Sequence, residues 1–151
     1  MELSDATKLA IELMCDHNLD EWYFYFDKSK RIFGKCNYLN KSISLSKHLV
    51  LLNNYNSVKN TILHEIAHAI VGIGNGHNKV WKKKAIELGC DGKRCYSSEN
   101  TICTKGNYYA ICPNCNKRFE RHRKSKKNQS CGVCSKGIYN ENFKLNWKIN
   151  N

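Results

Sequence analysis

No apolar run in this chain approaches the roughly 18 residues that a membrane-spanning helix requires. The first residues, MELSDATKLAIELMCDHNL, set Glu2, Asp5, Glu12 and Asp16 among the apolar positions. A secretory leader would show a basic start and an unbroken apolar stretch instead. The sequence therefore predicts no membrane partner and a reducing, cytoplasmic setting. Thiols rarely pair there, and nine cysteines, an odd number, do not close into a complete disulfide framework. Metal ligation is the reading that remains. Acidic residues are scarce in one half only. Residues 79–151 carry 17 Lys and Arg against 5 Asp and Glu, whereas residues 1–78 carry 8 of each, so the whole formal charge of +12 lies in the second half. A one-sided basic surface of this kind favours polyanions, nucleic acid first.

What is present suffices for a packed core, with 41% of residues hydrophobic. Ala6, Leu9, Ala10, Leu13 and Met14 share one helical stripe, with Ser4 placed to cap it. Trp22 to Phe26 reads as a strand, as do residues 31–38 and the alternating Ser42-Ile43-Ser44-Leu45-Ser46. Their short connections predict an antiparallel meander. His48 to Leu52 reads as a short helix, and Asn53, Asn54 and Asn56 as solvated loop. From Val58 to Ile73 the period is helical again, with Ile62, Ile66, Ala69, Ile70 and Ile73 on the buried face. Gly72, Gly74 and Gly76 end that helix. Another follows from about Asn78 to Gly89, burying Trp81, Ala85 and Leu88. Helical periodicity then stops, which places a domain boundary between residues 96 and 107. The fold class is α+β, helices on a small antiparallel or mixed sheet over residues 1–100, followed by a small β module over residues 107–151.

His64-Glu65-Ile66-Ala67-His68 is an HExxH motif on a predicted helix. Four residues turn the helix about 40° past a full circle, so both imidazoles leave from one side and can hold one zinc ion. Glu65 is placed to take the proton of a metal-activated water that attacks a carbonyl. A hydrolytic zinc needs a third protein ligand. His77 is the first candidate, since the glycine-rich turn lets the chain double back; His48 and Glu87 are the alternatives. Tyr55, Tyr96 and Tyr108 are candidates for stabilising the oxyanion, and nothing in the sequence selects among them.

The stretch Thr61 to Ala69, then Gly76-His77 and Trp81, resembles the SprT-like (Spartan-related) zinc metalloprotease family. Upstream, Trp22 to Phe26, Gly34-Lys35-Cys36 and Ile43 to Ser46 resemble its strand pattern. Asn78 departs from it, standing where the family usually has glycine after the third histidine. The resemblance implies a minimal zincin-like fold with zinc on His64, His68 and His77, Glu65 as catalytic acid and base, and proteolysis near DNA. It also implies a bacterial type, or a phage type acting in an infected cell, with an appended C-terminal zinc ribbon.

Cys112-Pro-Asn-Cys115 and Cys131-Gly-Val-Cys134 supply that ribbon. Two CxxC knuckles close a tetrahedral site with no vacancy, which is a structural site. Two zinc ions per chain are expected, one catalytic and one structural. Between the knuckles lie Lys117, Arg118, Arg121, Arg123, Lys124, Lys126 and Lys127. They are flanked or interleaved by Tyr108, Tyr109, Phe119, Tyr139, Phe143 and Trp147. Cations for phosphates beside rings for bases predict a DNA- or RNA-contacting surface with little sequence readout, although most of these rings suit packing of the small module. Cys15 and Cys36 read as small core residues; Cys90, Cys95 and Cys103 have no evident fourth partner for a third metal. The expected function is zinc-dependent endopeptidase action on DNA-associated or crosslinked proteins, the alternative a nucleic-acid-binding adaptor with a weakly active or inactive zincin domain.

Overall fold

A computed structural model of the chain describes residues 1–94 and 101–150. It divides into two compact units, Met1–Thr104 and Lys105–Asn151. Among the described residues no helix is long and apolar enough to cross a membrane.

In the first unit, α1 (Leu3–Asp16) buries Ala6, Leu9, Ala10 and Met14, the i, i+3, i+4 stripe of an amphipathic helix. Glu2 holds the N-cap position without a side-chain cap, so Ser4 lies inside the first turn and does not cap it. Strands β1 (Tyr23–Asp27), β2 (Gly34–Asn37) and β3 (Ser42–Ser46) form one sheet in the order β1-β3-β2. β1 runs parallel to β3 and β2 antiparallel to it, so the sheet is mixed and the expected meander is corrected. Parallel neighbours need a connection of about a dozen residues or more, and here β2 itself sits within that connection. The signal was hidden in β3. Its Ser-Ile-Ser-Leu-Ser alternation suggests a half-exposed strand, yet all five residues are buried. Ile43 and Leu45 join the core, and the three serines are buried as well. Ser44 Oγ donates to Asp27 Oδ2 at 3.3 Å, and Ser46 Oγ donates to the Ser29 carbonyl.

Ser46 also caps α2 (Lys47–Leu52), its Oγ accepting from the Leu49 N–H at 3.1 Å. Asn53 is not solvated loop but 4% exposed. Its Nδ2 donates to the carbonyls of Leu49 (2.7 Å) and Ile102 (2.9 Å), and its Oδ1 accepts from the Ile102 N–H (2.7 Å). Asn54 caps α3 (Tyr55–Val71), accepting from the Ser57 N–H; Asn56 is exposed. α3 lies between two apolar clusters. Val58, Ile62 and Ile66 pack with α1 and the sheet residues, Leu63 and Ala67 with Trp81, Ala85 and Cys90. The buried arc therefore extends toward α4 (Lys79–Glu87), and Ile70 and Ile73, expected inside, are 38% and 74% exposed.

The second unit is a three-stranded antiparallel sheet, β4 (Tyr108–Ile111), β5 (Arg118–Arg121) and β6 (Lys148–Ile149), in the order β5-β4-β6. Its core is Ala110, Cys112, Cys131 and Leu145, with Phe119, Phe143 and Trp147 packed against them. So little apolar surface cannot by itself offset the entropy of ordering the module, which is the usual circumstance of a metal-stapled fold.

Candidate functional site

His64 and His68 stand one turn apart on α3. The helix stops at Gly72, whose φ of +76° suits a residue without a side chain, and Gly74 and Gly76 continue in left-handed geometry. Asn75 and Asn78 hydrogen-bond within this turn, and Asn78 Oδ1 accepts from the N–H groups of Val80 and Trp81 to cap α4. The residue that departs from the family's glycine is thus a helix cap with an ordinary extended backbone.

The turn returns His77 to the pair. Its Nε2 lies 3.0 Å from that of His64 and 3.1 Å from that of His68. One ring nitrogen carries at most one proton, so three converging nitrogens do not satisfy one another by hydrogen bonding. A tetrahedral ion at about 2.0–2.1 Å from each nitrogen separates them by about 3.3 Å, close to what is seen. The three histidines form a metal-sized donor set; His48 and Glu87 are not in it, and Glu87 pairs with Lys84. Trp81 forms the floor, its ring centroid 4.6, 5.2 and 4.6 Å from those of His64, His68 and His77. Burial, reinforced by the neighbouring imidazoles, pushes the His64 and His68 pKa values down to about 4. Both rings are accordingly neutral near pH 7, with lone pairs available for a metal.

Glu65 is buried on the side of α3 that meets β2. A Cβ on Gly34 would stand 2.6 Å from Glu65 Oε1, 2.8 Å from its Cγ and 2.9 Å from Thr61 Cγ2. Only glycine lets β2 approach so closely. The Cys36 N–H donates to the carboxylate, yet burial still pushes the Glu65 pKa up to about 8. Burial and the Glu65 charge push the neighbouring Cys36 thiol up to about 12, so it is no nucleophile at neutral pH. A cleft of about 530 Å³ opens on His64, Glu65, His68 and His77. Tyr55 does not line it, Tyr108 belongs to the second unit, and Tyr96 lies outside the described residues. Three cations do line it, Arg31, Lys93 and Arg94, and sequence reasoning missed all of them. Asp91-Gly92, a turn-forming pair, was the one available signal for the latter two.

In the second unit the Sγ atoms of Cys112 and Cys134 are 3.8 Å apart, and those of Cys115 and Cys131 3.7 Å. Four sulfurs at about 2.3 Å from a tetrahedral ion are separated by about 3.7–3.8 Å. The donor set fits a metal. Each knuckle turns back on itself: the Asn116 N–H donates to the Cys112 carbonyl, and the Ser135 N–H to that of Cys131. The N–H of Cys115, then burial opposing it, then the N–H of Asn114 set the Cys112 thiol, pushed down to about 7. Of the seven expected phosphate contacts, two arginines and Lys117 engage rings of the module, the Lys117 Nζ lying 5.8 Å from the Phe119 ring centroid. Arg118 stacks on Tyr109 at 4.3 Å and pairs with Glu120, and Arg121 stacks on Trp147 at 4.3 Å. Lys117, Arg123, Lys124, Lys126 and Lys127 are exposed. Phe119, Phe143 and Trp147 pack the module's core. Cys15, expected inside, is exposed, its Sγ donating to Asp20; Cys90 is buried, Cys103 exposed, and Cys95 lies outside the described residues. Among the described residues these thiols join no further cluster of metal-ligating groups.

Comparison with curated proteins finds no match for this chain. The model of the SprT-like family, in contrast, matches residues 7–103, more than half of the chain, and on that match the chain belongs to the SprT-like family.

Proposed function

We propose that this chain is a zinc-dependent endopeptidase of zincin-like fold that acts on DNA-associated or DNA-crosslinked proteins, with the second unit a zinc ribbon that brings it to nucleic acid. Membership of a family with a metalloprotease-like domain supports the first part. The observation that carries it is the convergence of three imidazole Nε2 atoms beside a buried carboxylate in an open cleft. His64, His68 and His77 would hold the ion, and its chemistry is Lewis acidity toward a water and a peptide carbonyl. Glu65 supplies the proton transfer. Its carboxylate takes a proton from the attacking water and returns it to the departing amine. Gly34 and the Cys36 N–H fix where that carboxylate sits. Trp81 excludes water from beneath the imidazoles.

The second reading, a nucleic-acid-binding adaptor with little turnover, draws on the exposed cations at 123–127. One comparison separates the two. Glu65→Gln should retain its zinc and its DNA affinity, while cleavage of a DNA-bound protein falls by about 1,000-fold or more. Equal cleavage by wild type and variant removes Glu65 from catalysis; no cleavage by wild type, with or without DNA, leaves the adaptor.

A further inference from the structure

The lining of the cleft includes a short loop that neither the metal donors nor Glu65 explain. It is built rather than incidental. The Asp91 N–H donates to Asn60 Oδ1 at 2.9 Å, and Asn60 stands one helical turn before His64 on α3. The Lys93 N–H in turn donates to Asp91 Oδ1 at 3.0 Å, an Asx-type turn. Gly92 adopts φ +62° where a Cβ would press on Ile86. The loop is thereby tied to the helix that carries the histidines, and it delivers Lys93 and Arg94 to the cleft. Burial, and after it the charge of Arg94, lowers the His77 pKa.

Charge in the cleft is unbalanced. Among the described residues of the lining, Lys93 and Arg94 stand beside two acids, Glu65, which is buried against β2, and Asp91, whose Oδ1 serves the turn. Among the described residues neither Lys93 nor Arg94 ends on a carboxylate. A bound divalent ion would add further positive charge.

We propose that the loop over residues 91–94 makes this cleft selective for peptide segments that carry an acidic side chain close to the bond cut, with Lys93 and Arg94 receiving the carboxylate. The inference rests on the endopeptidase reading above. A carboxylate shared between an ammonium and a guanidinium makes charge-assisted hydrogen bonds that a glutamine cannot equal and a lysine opposes. The same lining contains Ile32 and Phe33, which suit the apolar part of a peptide better than a sugar-phosphate chain.

The test uses the full-length zinc-loaded chain and matched peptides that differ only by Glu, Gln or Lys at each position near the cut. Binding is read by fluorescence polarisation on Glu65→Gln, and cleavage on the wild type. The expected order is Glu over Gln by about tenfold, with Lys poorest, in both Kd and kcat/KM, and the preference shrinks with added salt. Lys93→Glu with Arg94→Glu should invert it. Cleavage without preference, or a preference unchanged by the reversal, overturns the inference and leaves the peptidase reading standing. Preferential binding without cleavage does the opposite. Oligothymidylate that displaces the peptides, and whose own binding the reversal abolishes, would assign the loop to phosphate and overturn the peptide proposal.

Discussion

Glu65 owes its position to what Gly34 lacks. Alanine at residue 34 would push on Oε1, Cγ and Thr61 Cγ2 at once, all inside van der Waals contact. Gly34→Ala should therefore lower kcat by about 100-fold with zinc content and KM little changed, since a displacement near 1 Å of a reacting group has that effect. Steady-state kinetics beside metal analysis checks it. The same residues set a pH response for the metal-free first unit. His64 and His68 have folded pKa values near 4, below their ordinary 6.5, so the unfolded chain binds more protons and stability falls as pH drops from 6.5 to 4. Glu65 is opposite in sign. Its pKa rises from 4.5 to about 8 on folding, so the native state holds the extra proton and stability falls as pH rises through that window. Well above pH 8, metal-free Glu65→Gln should be more stable than wild type by on the order of 5 kcal/mol, an advantage that vanishes near pH 4. Denaturant melts across pH measure both arms.

At the scale of elements, Asn53 acts as a substitute strand. Its amide gives and takes hydrogen bonds with the backbone of Ile102 while closing α2 through Leu49. Asn53→Ala would orphan these buried groups and should cost about 2–3 kcal/mol, with lost amide protection at Ile102 as the local signature in hydrogen exchange. Nothing in the sequence around Asn53 separates it from Asn54 or Asn56, because its partner lies 49 residues away. The helices and the two donor sets were legible, since helical spacing and CxxC spacing are local and carry their geometry with them. The sheet order was not. The alternating serines of β3 suggest a half-exposed strand, and only its pairing with β1 on one side and β2 on the other reveals a central one. For Lys93 and Arg94 the sequence offered only a turn signal, because what makes them cleft residues is a hydrogen bond from the Asp91 N–H to a side chain on another element.

For the whole molecule, the two donor sets differ in kind and lie in different units. Wild-type protein should contain two zinc ions, His68→Ala and Cys115→Ser one each, read by elemental analysis of the purified chain. The variants should diverge in stability. Loss of the thiolate site should unfold residues 105–151, where metal binding supplies most of the folding free energy, while loss of the imidazole site leaves the first unit with its own apolar core. If the second unit binds nucleic acid as proposed, the total charge of +12, carried by the second half, should make that affinity steeply dependent on salt whatever the fate of the cleft.

Trp81 touches all three imidazoles with an indole that is 1% exposed. That contact gives the donor set an optical handle. A change in charge or electron density on the rings occurs within a ring's width of a fluorophore, so the chain's own emission carries a record of what its histidines hold.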